Sequence, residues 1–221
     1  MKRLLFTTIL MLAMLKGVAQ QITSALTVYP DFRPATILLT NGGKLKVPLA
    51  NVFLKNSSLL YMNDKLVKEA DMKRVMQVDF DDRTYIRIDS VLAYQVGSVG
   101  ENALYCANVI DLKSYKQTIA NSANITNLDL SNLTNMNMLS FNTIDAIGKD
   151  SVQFPVIPIY YFRIDNKFVL VHERHLKRFL SKEKVRLMES ATNLPKFSWT
   201  DEQSLLKMLR CSNRISYNFS P

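Results

Sequence analysis

The chain has 221 residues, of which 48% are hydrophobic, with a mean hydropathy near zero and a formal charge of +9. That apolar share can fill a core, which excludes a disordered polyelectrolyte. The excess of 28 Lys and Arg over 19 Asp and Glu favours anionic partners, although charge by itself says nothing about fold.

Residues 1–19 read as a secretory signal peptide. Lys2 and Arg3 supply the positive start, Leu4 to Leu15 form an apolar run too short to span a bilayer, and Gly17-Val18-Ala19 provide the small residues a signal peptidase requires. Cleavage after Ala19 makes Gln20 the new N-terminus. No cysteine follows the cleavage point and no later segment has the length and apolarity of a membrane span. The expected location is therefore outside the cytoplasm, in the periplasm, on the outer-membrane surface or in the medium. Loss of Lys2, Arg3 and Lys16 lowers the charge to +6. Residues 20–162 carry 13 basic and 13 acidic side chains, whereas residues 163–221 carry 12 and 6, so all of the excess lies in the last 59 residues.

After an N-terminal extension at 20–34, residues 35–111 show period-two apolar patterning broken repeatedly by turn residues, the pattern of short antiparallel strands. Ile37 and Leu39 are separated from Leu45, Val47 and Leu49 by Asn41-Gly42-Gly43, whose composition suits a tight hairpin. Strands are expected around Leu59 to Tyr61 and Leu66-Val67, then along Met76, Val78 and Phe80, which share one face. After the Asp81-Asp82 turn come Tyr85 to Ile88, Val91 to Val99 and Ala103 to Ile110. So many short strands suggest an antiparallel meander or a small SH3-like barrel. Residues 112–155 read as an Asn/Ser/Thr-rich loop or linker. Within it, residues 125–133 have the spacing of a single leucine-rich repeat, which cannot stack alone.

Residues 156–221 form a second lobe. Val156 to Arg163 and Phe168 to Val171 flank a turn at Asp165-Asn166. One helix is expected over 172–189 with Leu176, Phe179, Leu180 and Leu187 as its apolar stripe. A second follows Pro195, capped by Thr200 ahead of Gln203, with Leu205, Leu206, Met208 and Leu209 facing the core. The fold class is thus α+β, a β-rich lobe followed by a hairpin and two C-terminal helices.

Candidate chemistry is sparse. His172 and His175 stand three apart with no evident third ligand, which does not fit the zinc-protease motif. Asp79, Asp81 and Asp82 lack the glycine and the closing glutamate of a calcium loop and read as a turn-forming cluster. No nucleophile elbow or phosphate-cradling glycine loop is present, and neither cysteine has a histidine partner. No catalytic residue, metal ligand or cofactor is therefore assigned. Cys106 and Cys211 form an even pair that an oxidising compartment could close into a disulfide. The strongest positive feature is basic. Arg174, Arg178, Lys182 and Arg186 recur every four residues with Lys177 beside them, a surface suited to an envelope protein or to an anionic glycan or lipid. Nucleic acid is disfavoured, because no aromatic platform accompanies the charges.

Three segments carry a resemblance: Ala50-Asn51-Val52-Phe53-Leu54-Lys55-Asn56 running into Leu59-Leu60-Tyr61, Val78-Asp79-Phe80-Asp81-Asp82-Arg83-Thr84-Tyr85, and Phe197-Ser198-Trp199-Thr200-Asp201-Glu202. Together with the leader they resemble uncharacterised exported proteins of Gram-negative bacteria, a class whose domains have no assigned function. The resemblance spans most of the mature chain and implies export and a barrel-plus-helices architecture, with no active-site residue. Asp89-Ser90-Val91 and Asp150-Ser151-Val152 also look like three-residue O-glycosylation sites of such bacteria. The expectation is a non-enzymatic envelope protein that binds a macromolecular partner. The competing readings are an exported glycan hydrolase and a structural subunit of an envelope assembly.

Overall fold

The computed structural model describes residues 21–23, 25–64, 66–115, 138–140 and 154–213. The leader, the repeat-like segment 125–133 and the sequence around Ser151 lie outside the described residues.

Turn chemistry cuts the chain into short strands. β1 (Gln21–Thr23), β2 (Arg33–Leu39), β3 (Lys44–Phe53), β4 (Ser58–Asn63) and β5 (Leu66–Glu69) are followed by a 3-10 turn at Met72–Arg74. Then come β6 (Val75–Asp79), β7 (Thr84–Ile88), β8 (Val91–Val99), β9 (Asn102–Ile110), β10 (Met138–Ser140), β11 (Phe154–Ile164) and β12 (Lys167–Leu170). The β2–β3 loop needs a left-handed residue and places Gly42 there at φ 82°, while Leu39 N–H donates to the Gly43 carbonyl at 2.8 Å. Elsewhere the left-handed positions fall mostly to residues that tolerate them: Asp64, Asp89, and both Asp165 and Asn166 between β11 and β12.

All twelve strands belong to one antiparallel sheet, in the order β1-β11-β9-β8-β7-β6-β2-β3-β4-β5-β10, with β12 beside β11. Strands from either side of residues 112–155 therefore share one sheet, since β11 pairs with β9 from Val156↔Ile110 to Arg163↔Ala103. The residues before β2 are also part of the fold. β1 pairs with β11, Thr27 bridges to Phe53, and Leu26 is buried.

Proline positions follow from the ladder. Pro34 and Pro48 fall at the register shift between Arg33↔Ala50 and Ala35↔Val47, where a bulge spares the missing N–H groups. In β11 the Tyr160 carbonyl accepts from Val171 N–H at 2.8 Å, so even-numbered residues turn their backbone groups away from β9. Pro158 then faces the stretch of that edge between β1 and β12, where no ladder donor is lost and strand addition is discouraged.

A second bulge corrects the sequence reading of β6. The register shifts between Leu38↔Gln77 and Leu39↔Val75, leaving Met76 as the extra residue. Its side chain is 52% exposed while Val75 and Val78 are buried, so Met76 does not share a face with Val78 and Phe80.

Buried residues of β2, β3, β4, β6, β7 and β8 gather in one core, Ile37, Val52, Leu59, Val78, Tyr85 and Leu92 among them, with Phe80 beside them. The turn after β3 ties this unit to distant strands: Ile110 N–H donates to the Leu54 carbonyl, Leu92 N–H to the Ser57 carbonyl, and Ser57 Oγ to the Leu92 carbonyl, each at 2.7 Å. Ser57 adopts φ 52° to do so. Across the sheet, another core lies under three helices, α1 (Glu173–Phe179), α2 (Lys182–Thr192) and α3 (Glu202–Asn213). Leu205, Met208 and Leu209 of α3 are buried over β8 and β9. Leu206 passes so close to Gly97 that a Cβ there would meet its Cδ2 at 3.1 Å, which explains a glycine within β8.

The single helix expected over 172–189 is two. Leu180 is extended (φ −82°, ψ 152°), and Ser181 starts α2 by accepting the Lys184 N–H on its hydroxyl at 3.3 Å. A serine side chain satisfies an amide that helix starts leave orphaned, which favours a fresh N-cap over continuation. The break also moves the apolar stripe. α2 buries Met188 and Ala191, with Val185 packed beside them, while Leu187 is only half-buried. At α3 the cap is Asp201 rather than Thr200: Ser204 N–H donates to Asp201 Oδ2 at 2.7 Å, and Thr200 is occupied with Ser198. These bonds to Ser204 hold the Asp201 carboxyl below its usual range.

Candidate functional site

The basic residues singled out in the sequence lie on α1 and α2, but the break separates them into two pairs. Arg174 and Arg178 stand one turn apart on α1, Lys182 and Arg186 one turn apart on α2, and all four are exposed. None of the four makes an ion pair with a carboxylate among the described residues. Lys177 differs. Its ammonium lies 2.7 Å from Glu173 on α1 and 3.0 Å from Glu189 on α2, so it joins the two helices and has little charge left for a partner. Lys184 is likewise taken up by Asp165 at 3.5 Å. The buried anchor of α1 is Leu176, and the exposed face of that helix carries only Glu173, Arg174, His175, Lys177 and Arg178.

At the start of α1 the chain forms an open depression of about 390 Å³ lined by His172, Glu173, Arg174, Lys177 and Arg178. His172 is its N-cap, accepting the Arg174 N–H on Nδ1 at 3.2 Å, and its ring meets that of His175 edge-on with centroids 5.6 Å apart. Among the described residues no group of three or more His, Cys, Asp or Glu side chains converges as a metal site. The Asp79-Asp81-Asp82 carboxylates are engaged by the protein itself. Asp79 accepts from Gln77 and Thr84, Asp82 from Tyr29 and Arg33, and Asp81 pairs with Arg33 at 3.4 Å.

A feature that sequence reading missed runs across the strands. Cross-strand partners Val78, Tyr85, Tyr94, Cys106 and Tyr160 form one row over β6, β7, β8, β9 and β11. Tyr85 and Tyr94 pack edge-on at 5.8 Å, the Arg83 guanidinium stacks on Tyr94 at 4.2 Å, and Tyr160 Oη reaches Glu202 of α3 at 3.4 Å. Burial raises the pKa of every hydroxyl in this row, so the three phenols remain neutral and the row acts as a packed seam between sheet and helices. The only clue in the sequence was the aromatic content of the strands, because the alignment depends on register.

Cys106 and Cys211 are both free thiols. Cys106 is 1% exposed within the tyrosine row, and its burial pushes the thiol pKa up to about 11. Cys211 is partly exposed on α3. Treatment of the folded protein with iodoacetamide at about pH 8 is therefore expected to label Cys211, with Cys106 reacting only after denaturation. Peptide mapping checks this; rapid native labelling of Cys106 would show that the seam opens. Ser90 lies exposed in the turn between β7 and β8. No helix among the described residues is long and apolar enough to cross a membrane. No protein-family model, curated protein or solved structure matches this chain.

Proposed function

We propose that this is an exported, non-enzymatic envelope protein that binds an anionic polysaccharide through the exposed cations of α1 and α2. The observation that carries the reading is the state of Arg174, Arg178, Lys182 and Arg186, exposed and without ion pairs among the described residues, although carboxylates stand close enough to engage Lys177 and Lys184. Long-range attraction to a polyanion follows from such a cluster. A polar polymer suits it better than a bilayer. An interfacial helix buries an apolar face in the lipid, whereas Leu176, Met188 and Ala191 are committed to the protein core. Export rests on the leader and on the resemblance to exported Gram-negative proteins.

Within this reading the β2–β8 unit is a small SH3-like barrel that presents the helical layer. Its support is the pair of Ser57–Leu92 bonds, which join the turn before β4 to β8 across the enclosed core.

The test is calorimetric titration with heparin, a sulfated polysaccharide, at low salt. The variant R174E/R178E/K182E/R186E is expected to bind about a hundredfold or more weakly, at about 1 kcal/mol for each cation set against an anionic surface, with an unchanged thermal midpoint. Equal affinity in the two proteins would overturn the reading. Should reversal disturb folding, R174Q/R178Q/K182Q/R186Q removes the charge without introducing repulsion and carries the same expectation.

A further inference from the structure

We infer that the cleft between the β11–β12 turn and the α1–α2 junction is a subsite for one sugar residue of the polysaccharide, a uronic acid whose carboxylate is attached directly to the ring. This rests on the reading of α1 and α2 given above and names the class of ligand that the surface selects.

The cleft has a volume of about 230 Å³. That lies below the range of about 300 to 1,000 Å³ common for drug-sized ligands and leaves room for a single sugar ring. Its position ties it to the cationic surface. The lining run Phe179-Leu180-Ser181 stands between Arg178 and Lys182, the inner members of the two exposed cation pairs. A polymer held by both pairs therefore crosses the cleft.

Two kinds of group meet there. Ile164, Phe179 and Leu180 supply the apolar lining, and Phe179 and Leu180 are only half-buried, so they keep surface for the C–H face of a ring. The polar lining comes from Asp165, Lys167, Ser181 and Lys184. Ser181 Oγ accepts the Lys184 N–H at 3.3 Å and retains its own proton for a ligand oxygen.

Lys184 sets the charge preference. Its side chain is 20% exposed, yet among the described residues its ammonium meets a carboxylate only at Asp165, at 3.5 Å. That distance exceeds the usual range of about 2.7 to 3.2 Å, and two further N–H donors of the ammonium have no partner among the described residues. A partly buried ammonium in this state gains from a second, closer oxyanion. Lys167 is exposed and has no ion pair among the described residues, so two cations face one carboxylate and the cleft carries one positive charge in excess. A uronic acid matches this arrangement. Its ring rests on Phe179 and Leu180, its carboxylate reaches Lys184 from the ring itself, and a hydroxyl can donate to Asp165. A sulfate ester holds its charge further from the ring and suits the exposed arginines instead.

The experiment titrates the folded protein with trigalacturonate at low salt, using the methyl ester as the uncharged control with the same rings, and follows the Leu180 methyl groups by NMR. Trigalacturonate is expected to shift the Leu180 signals saturably and to bind about tenfold or more tightly than the ester. Lys184→Gln should weaken trigalacturonate about tenfold or more, the worth of one hydrogen bond to a charged group. Asp165→Asn keeps a residue that tolerates the left-handed φ of 50° and releases the ammonium, so it should tighten binding about two- to fivefold. Damage to the scaffold does not produce these opposite signs. Unmoved Leu180 signals, an ester that binds as tightly as the acid, or equal affinity of wild type, K184Q and D165N overturns the subsite, while heparin binding leaves the cationic surface standing. Failure to bind either heparin or trigalacturonate overturns the surface and the subsite together.

Discussion

Asn51→Leu is expected to lower stability by about 3 to 5 kcal/mol, the largest loss from any single substitution considered for this protein. Asn51 is completely buried in β3 and uses its amide in both directions. Oδ1 accepts from Tyr29 N–H at 3.1 Å and from Val52 N–H at 2.8 Å, while Nδ2 donates to the Tyr29 carbonyl at 2.9 Å and the Asp31 carbonyl at 3.2 Å. The segment leading into β2 has no strand partner at Tyr29 to Asp31, so this one side chain stands in for a ladder. Leucine matches the volume and removes all four bonds, leaving backbone groups desolvated; the cost is that of unsatisfied groups rather than of a cavity. Asn51→Asp keeps both acceptors and loses both donor bonds. Burial disfavours its charged form and raises its folded pKa, so this variant should be least stable at neutral pH and recover part of its stability as pH falls through that raised value. Denaturant titration of both variants checks the argument. A loss below about 1 kcal/mol for Asn51→Leu would show that the Tyr29–Asp31 segment does not depend on Asn51.

Leu205→Ala is expected to cost about 2 to 5 kcal/mol. Leu205 is fully buried on α3, in the cluster that includes Leu104, Cys106, Tyr160 and Phe162 of the sheet and Met188 of α2. Three carbons are lost at the point where α3 meets both the sheet and another helix, and the surrounding β9 and β11 positions are held in register, so the site cannot collapse. Trp199, the one tryptophan in the chain, packs edge-on against Phe197 at 5.1 Å beside this cluster and provides a fluorescence signal for α3 docking. The fluorescence transition and the circular-dichroism transition should shift together. If the fluorescence midpoint fell alone, α3 would be detaching from a sheet that remains folded.

The two substitutions show where sequence reasoning reaches its limit. Asn51 lay within a segment noted for its resemblance to other proteins, yet nothing local marks it as buried, because three of its four hydrogen bonds go to backbone groups about 20 residues away. Leu205, by contrast, was legible: Leu205, Met208 and Leu209 recur at helical spacing, and that face is the buried one. The basic surface falls between these cases. Its residues were legible from their four-residue interval, but the division of their helix at Ser181 was not, since a serine in a helical pattern becomes a cap only when the next turn docks elsewhere. Nor was the neutralisation of Lys177, which requires Glu189 to be brought beside it from α2.

By itself the sequence determined the short-range features: strands over 91–99 and around 102–110, turns at glycine, asparagine and aspartate, and the inward face of α3. Those follow from side-chain period and from the φ angles that each residue tolerates within a few positions. The tertiary structure alone decided the joining of β11 to β9, the exposure of Met76, the role of Asn51 and the row of Tyr85, Tyr94, Cys106 and Tyr160. Each of these depends on register, and one bulge or one distant hydrogen bond changes which residues meet without altering the local pattern.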